Sequence, residues 1–263
     1  MKKFLVIGNP IEHSLSPQLH NFWIKNNNLN ATYTKKKLND DDLEKLIHEM
    51  RENKFNGINV TVPFKKKIIP YLDELSNEAK ETESVNTIYI KNNKIKGHNT
   101  DVSGFEHSIK DLNINMCNKK VLIIGAGGVV SSIIFALNNM GLRKIFVTNR
   151  TREKAEDLKK FFRNLIIVEW GDVPDFDMII NATSVGLNEN DQLELNLSKI
   201  KNKFFYDVIY NPPKTNFLKN AEVLGNKIEN GKKMFIYQAA AAFKIWHNIQ
   251  PEINNEVLKV LDI

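Results

Sequence analysis

The chain has 263 residues, 42% of them apolar, enough for two domains of ordinary size, each with its own core. Its 37 basic and 31 acidic residues give a net charge of +6, but they are interspersed and no basic stripe interleaves with aromatics. A solvated surface is therefore expected, with no nucleic-acid partner and a mild preference for small anionic ligands. Nowhere do roughly 18 apolar residues run together, and the short apolar run before Gly8 is too brief for a signal peptide, so neither a membrane span nor secretion is expected. Cys117 is the only cysteine, which excludes an internal disulfide and suits a reducing cytoplasm.

The first hundred residues alternate: FLVIGN reads as a strand, SPQLHNFWIKNN as a helix, ATYTKKKL as a strand, DDDLEKLIHEMRE as a helix and GINVTV as a strand. This βαβαβ order predicts a largely parallel sheet. Asp40, Asp41 and Asp42 suit the positive end of the second helix. NTIYIKNNKIKGHN reads as a hairpin around an Asn-Asn turn that closes one edge of the sheet, and Asp101 begins a helix leading out of the domain. From residue 119 a second alternation starts, with strands in KKVLIIG, KIFVTNR, LIIVEW, DFDMIINATSVG and KFFYDVIY, and a helix in TREKAEDLKKFF. Its first unit places glycines between a continuous apolar strand and a helix, the context a dinucleotide fold requires. KKMFIYQAAAAFKIWHNI reads as a long helix after Gly231, and Pro251 separates it from the amphipathic EINNEVLKVLDI. No linker is evident, so helical junctions are expected, with a cleft between the domains as the place for a site.

In Gly125-Ala126-Gly127-Gly128, missing side chains let the backbone approach a pyrophosphate on the N-terminus of the following helix. The next strand ends at Asn149-Arg150-Thr151-Arg152, where an NAD protein places an acid; donors and positive charge there favour a 2′-phosphate, hence NADP. The alternative is that Thr151 caps a helix and the arginines pair with Glu153 and Glu156. The first domain carries another polar set: Asn59, Thr61 and Lys65 in NVTVPFKKK, Asn86 and Thr87 in SVNT, and Asn99, Thr100 and Asp101 in HNTD. Asn59 and Thr61, two apart on a strand, face the same way, and the set suits a polyhydroxylated ligand. Spacing alone does not single out one of Lys65, Lys66 and Lys67.

GNPIEHSLSPQLHN, NVTVPFK, VNT, NTD, GAGG, NRT, NATSVG, DVIYNP and QAAAAF follow one another in the order of the shikimate dehydrogenase family, and the chain resembles that family over nearly its whole length. The resemblance implies an α/β fold of two domains. Residues 1–100 with 237–263 form a mostly parallel substrate-binding domain, the last helices packing back on it, and residues 101–236 form a Rossmann-like NADP-binding domain. It implies that Ser14 and Ser16 hold the substrate carboxylate, the alternative being that they shape the turn and cap the helix at Pro17. By the same matching, Asn59, Thr61, Asn86, Tyr210 and Gln238 contact the substrate, and Lys65 and Asp101 form the catalytic pair, with a structural salt bridge as the alternative. Lys65 is the candidate for proton transfer and Asp101 for orienting it, a division that spacing does not settle.

On the cofactor side the resemblance assigns Gly125, Ala126, Gly127, Gly128 and Val129 to the pyrophosphate and Asn149, Arg150, Thr151 and Arg152 to the adenosine phosphate. Asn181, Thr183 and Ser184 are expected along the nicotinamide half, and Val208, Gly231 and Met234 near its ring, with Val208 and Met234 equally compatible with the core. His13, His20 and His98 share no metal-ligand spacing, so capping or surface roles and no metal are expected. Two departures from the family pattern stand out: valine and serine follow the glycines in GAGGVVSS, and Glu83 and Ser84 occupy places where glycine and alanine are usual. The function implied is reversible NADPH-dependent reduction of 3-dehydroshikimate to shikimate in aromatic amino-acid biosynthesis, by a cytoplasmic enzyme whose partner is that small molecule. An NAD-dependent quinate/shikimate dehydrogenase and a non-catalytic sensing module are the alternatives. A homodimer is compatible with the sequence, which does not fix the oligomeric state.

Overall fold

The computed structural model describes residues 1–142 and 144–261, and the chain divides into two compact units, Met1–Gly104 with Ile236–Ile263, and Phe105–Phe235. Both divisions fall inside helices, a few residues from those expected at 100/101 and 236/237.

The first unit contains β1 (Lys2–Gly8), α1 (Ser16–Asn26), β2 (Ala31–Lys37), α2 (Leu43–Arg51), β3 (Gly57–Val60), α3 (Phe64–Lys67), β4 (Glu74–Leu75), α4 (Asn77–Thr82), β5 (Thr87–Lys91), β6 (Lys94–His98) and the start of α5 (Thr100–Asp111). Its sheet runs β2-β1-β3-β5-β6-β4. β1 pairs in parallel with β2 and β3, whereas β5 runs antiparallel to β3 and to β6. Asn92 and Asn93 both have positive φ, 54° and 59°, which is the primed turn that matches the twist of a two-residue hairpin. The hairpin is not the edge: the two-residue β4 pairs in parallel outside β6. Asp40–Asp42 form a separate 3-10 turn capped by Asn39, so α2 begins only at Leu43.

Side chains alternate along β1, so Leu5 and Ile7 pack with Leu46, Met50, Ile58, Phe64 and Ile88 on one face of the sheet, while Phe4 meets Trp246 on the other. Each such aliphatic side chain contributes roughly 1.5–3 kcal/mol of transfer free energy when fully buried.

The second unit contains β7 (Lys120–Ile124), α6 (Val130–Asn139), β8 (Lys144–Thr148), α7 (Arg152–Lys159), β9 (Leu165–Ile167), β10 (Met178–Asn181), β11 (Phe204–Asp207), α8 (Asn216–Val223) and β12 (Lys227–Glu229). All its strands pair in parallel, in the order β12-β11-β10-β7-β8-β9. Numbered from β7 this is 3-2-1-4-5-6 read from β9, the doubly wound order whose direction reverses beside the first strand. Two further helices complete the chain, α9 (Lys232–His247), which crosses the unit division, and α10 (Asn255–Val260). Within the first unit, Trp246 Nε1 donates to Ile88 O at 3.0 Å and Trp23 Nε1 to Glu252 O at 3.0 Å, which ties the C-terminal helices to this sheet. No helix among the described residues is long and apolar enough to cross a membrane.

Candidate active site

In the first unit, the turn after β3 leads directly into α3 and sets Lys65 beside the start of α5. Lys65 Nζ lies 2.5 Å from Asp101 Oδ2, with the two side chains only 14% and 8% exposed. Asp101 is in the first turn of α5, where a carboxylate suits the helix dipole, and its backbone N–H donates to Asn99 Oδ1 at 3.1 Å. The other carboxylate oxygen, Oδ1, accepts from Asn86 Nδ2 at 2.8 Å. Asn86 Oδ1 in turn accepts from the backbone N–H and hydroxyl of Thr100 at 2.8 and 3.0 Å and from Thr87 Oγ1 at 2.9 Å. Asn86 Nδ2 also reaches Gln238 Oε1 on α9 at 3.4 Å. A buried ion pair is costly unless its remaining valences are satisfied, and on the carboxylate side Asn86 supplies that bond.

The neighbouring lysines differ only in their partners. Lys66 Nζ pairs with Glu83 at 2.5 Å and Lys67 Nζ with Asp40 at 2.6 Å, both at exposed positions. Only Lys65 turns inward. Glu83 itself closes α4 with φ 45°, a left-handed conformation that explains why glycine is the easier residue there.

Ser16 is the first residue of α1, and its backbone N–H faces Ser14 Oγ at 3.4 Å. The residue capping α1 is Leu15, whose side chain makes no cap hydrogen bond, so neither serine closes the helix in the expected way. Asn59 on β3 is buried and donates through Nδ2 to Asn86 O at 3.0 Å and Thr87 Oγ1 at 3.1 Å. Thr61 lies just beyond the end of β3, its backbone N–H donating to Ile7 O at 2.9 Å, so the shared-strand argument for Asn59 and Thr61 covers Asn59 alone. Tyr210 belongs to the second unit; it stacks on Phe235 at 4.6 Å, and burial pushes its hydroxyl up to about 12.

In the second unit, Gly125 follows β7 at the reversal point of the sheet with φ 112°, and a Cβ there would meet Ala182 O at 2.8 Å. A Cβ on Gly127 or Gly128 would meet nothing within 4 Å, so these two glycines border open space just before α6. Ala126 and Val129 complete that turn, Val129 being the residue before α6. Ser131 and Ser132, among the departures in GAGGVVSS, are buried in α6. After β8, Asn149 Nδ2 donates to Thr151 O at 2.7 Å, and Thr151 precedes α7 without a side-chain cap bond.

The two arginines separate: Arg152 pairs with Glu156 at 3.0 Å and also with Glu169, while Arg150 is exposed and has no acidic partner among the described residues. Arg152 is thus held in ion pairs, and Arg150, among the described residues, in none. Asn181 departs from expectation. It is fully buried, its Nδ2 donating to Asp207 and Val185 O, its Oδ1 accepting from the Thr183 backbone and hydroxyl at 3.1 and 2.7 Å. Its amide therefore shapes the loop that carries Thr183 and the exposed Ser184, with no group left for a ligand.

Asp207, which the sequence reading missed, is also fully buried. Burial raises its pKa against the opposing bonds from the Thr215 hydroxyl, the Ile209 N–H and Asn181. Beside it, Val208 O sits 2.0 Å from where a Cβ of Gly231 would be, so any side chain at Gly231 would displace that turn. Met234 is core, at 6% exposure, while Val208 is half-buried.

Of the histidines, His13 is exposed and His98 Nδ1 accepts from the Asn99 N–H at 2.8 Å, but His20 is neither cap nor surface: it is buried among Trp23, Tyr33, Phe243 and Trp246. Among the described residues no cluster of three or more His, Cys, Asp or Glu side chains could hold a metal ion. A groove of about 420 Å³ between residues 192–198 and α8 is lined by Leu193, Leu197, Phe217 and Val223 and carries no titratable group, so it is not where this chemistry sits.

A doubly wound unit with an open glycine turn and a free arginine, joined to an α/β unit holding a buried lysine–carboxylate pair, defines a nicotinamide-dependent oxidoreductase of small hydroxylated molecules. Comparison with known proteins makes this specific. Residues 6–88 match the shikimate dehydrogenase substrate binding domain and residues 107–216 the shikimate / quinate 5-dehydrogenase model. A shikimate dehydrogenase (NADP(+)) of Pelagibacter ubique is 59% identical over 100% of this chain and 99% of its own. The crystal structure of the Aquifex aeolicus shikimate dehydrogenase superposes with TM-score 0.91 at 38% identity, covering 100% and 98% of the two chains. That of Thermus thermophilus shikimate 5-dehydrogenase, in complex with NADP(H) and shikimate, does so with TM-score 0.90 at 31% identity, covering 99% and 100%. The chain belongs to the shikimate dehydrogenase family.

Proposed function

We infer that the protein catalyses the reversible NADPH-dependent reduction of 3-dehydroshikimate to shikimate. The observation that carries this reading is the Lys65–Asp101 pair, buried, 2.5 Å apart and held from behind by Asn86. Reducing a ketone to a secondary alcohol needs a hydride at carbon and a proton at oxygen. NADPH supplies the hydride when bound, and NADP+ accepts it in reverse.

The chain's own residues manage the proton and the charge. Lys65 donates a proton to the carbonyl oxygen as negative charge develops there, and takes the hydroxyl proton in the oxidative direction. Asp101 holds the ammonium through Oδ2 while Asn86 fixes Oδ1, so the lysine is aimed before substrate arrives. Ser14 and Ser16 lie at the positive end of α1 and take the substrate carboxylate, with the dipole favouring the anion. Asn59, Thr61, Asn86 and Gln238 surround the ring hydroxyls. In the second unit, the open turn at Gly127 and Gly128 accommodates the pyrophosphate, and Arg150 with Thr151 takes the 2′-phosphate, which favours NADP over NAD.

Replacing Lys65 by alanine is expected to lower kcat by about 10²–10⁴-fold while shikimate still binds, as measured by steady-state turnover and titration calorimetry. Near-normal turnover of Lys65→Ala would remove the proton-transfer role.

A further inference from the structure

A buried aromatic layer in the first unit is left unused by these assignments. His20 of α1 stacks flat on Tyr33 of β2, the ring centroids 4.2 Å apart and the planes inclined by 2°. The side chain of Asn21 clamps the Tyr33 backbone, donating to its carbonyl at 2.8 Å and accepting from its N–H at 2.9 Å. A ring held on its face and at its backbone places its hydroxyl with little freedom. That hydroxyl, 2% exposed as a residue, donates to Asn59 Oδ1 at 2.6 Å.

Counting hydrogens fixes the directions. Asn59 Nδ2 faces the Asn86 carbonyl, which can only accept, so the nitrogen end of the amide is determined and Oδ1 must face Tyr33. Tyr33 has one hydroxyl proton and Asn59 takes it. Both Nδ2 hydrogens of Asn59 are likewise taken, by Asn86 O and Thr87 Oγ1, so Asn59 has only an Oδ1 lone pair to present to a ligand. A single donor chain runs from Tyr33 through Asn59 to Asn86, the residue that holds Asp101.

We propose that Tyr33 is a positioning residue for the substrate, its buried hydroxyl holding Asn59 so that the amide presents an acceptor to a ligand O–H. This rests on the reading of Asn59 as a substrate contact. Tyr33→Phe keeps the ring and its stack on His20 and removes only the hydroxyl.

The expected result is a KM for shikimate raised about tenfold, the effect of losing one buried hydrogen bond, with kcat and the KM for NADP within about twofold of wild type. In a double-mutant cycle, Tyr33→Phe raises the KM no further in an Asn59→Ala background. Thermal melting followed by circular dichroism verifies that both variants are folded. A shikimate KM unchanged in folded Tyr33→Phe overturns the inference, as does an equal rise in the KM of both substrates, which marks a general structural role. A KM rise from Tyr33→Phe that persists in full in the Asn59→Ala background overturns the route through Asn59.

Discussion

Residue types that look alike in the sequence are distinguished by their partners. Three consecutive lysines resolve into two surface ion pairs and one buried pair, and two arginines resolve into one free and one held by Glu156 and Glu169. Spacing carries no such information, because Glu83, Asp40 and Glu169 reach these cations only through the fold. His20 is the clearest residue that periodicity did not place: its two ring nitrogens have no hydrogen-bond partner among the described residues, and burial pushes its pKa down to about 3 from 6.5. Between those values the unfolded chain binds a proton that the native state refuses, so stability falls as pH falls from 6.5 toward 3, by on the order of 4–5 kcal/mol in full. His247, lowered to about 4 by burial, adds in the same direction. The melting temperature of His20→Phe, measured from pH 7 to pH 4, is expected to fall less steeply than that of wild type; parallel curves would show that His20 does not titrate this way.

At the scale of elements, the turn after β7 uses its glycines for different reasons. Gly125 needs its positive φ and has a backbone oxygen where a Cβ would go, whereas Gly127 has open space. Gly125→Ala is therefore expected to lower the melting temperature. Gly127→Ala is expected to leave it within about 1 °C, since an exposed substitution away from packing changes stability little, while raising the KM for NADP severalfold. The reverse pattern in melting and kinetics would contradict the assignment of that space to the cofactor. The glycine run, the strand before it and the helix after it were legible in the sequence because hydrophobic period and turn chemistry agree there. β12 and α8 were not singled out, and β4 is only two residues long, too short to leave a periodic trace. Asp207 escaped for another reason: a buried carboxylate reads in sequence as a polar strand end, and only the convergence of Thr215, Ile209 and Asn181 on it reveals its part in shaping the two loops beside β10 and β11.

For the whole molecule, the order of motifs along the chain identified the family, and the polar network around Asp101 ties three of those motifs together: Asn86 holds Asp101, and Thr87, Thr100 and Gln238 bond to Asn86 in turn. The division into two units was visible as two successive α/β alternations. That Asn181 works inside the second unit was not visible, because a side chain that builds a loop and one that touches a ligand have the same letter. The central claim concerns reaction and cofactor together, so the decisive measurement is the steady-state oxidation of shikimate and of quinate by the purified protein, each with NADP+ and with NAD+, followed by the absorbance of the reduced nicotinamide. Fast turnover with shikimate and NADP+, and kcat/KM at least about tenfold lower in the other three combinations, is the predicted result. Turnover preferring NAD+, or none with any pair despite measurable shikimate binding, would contradict it.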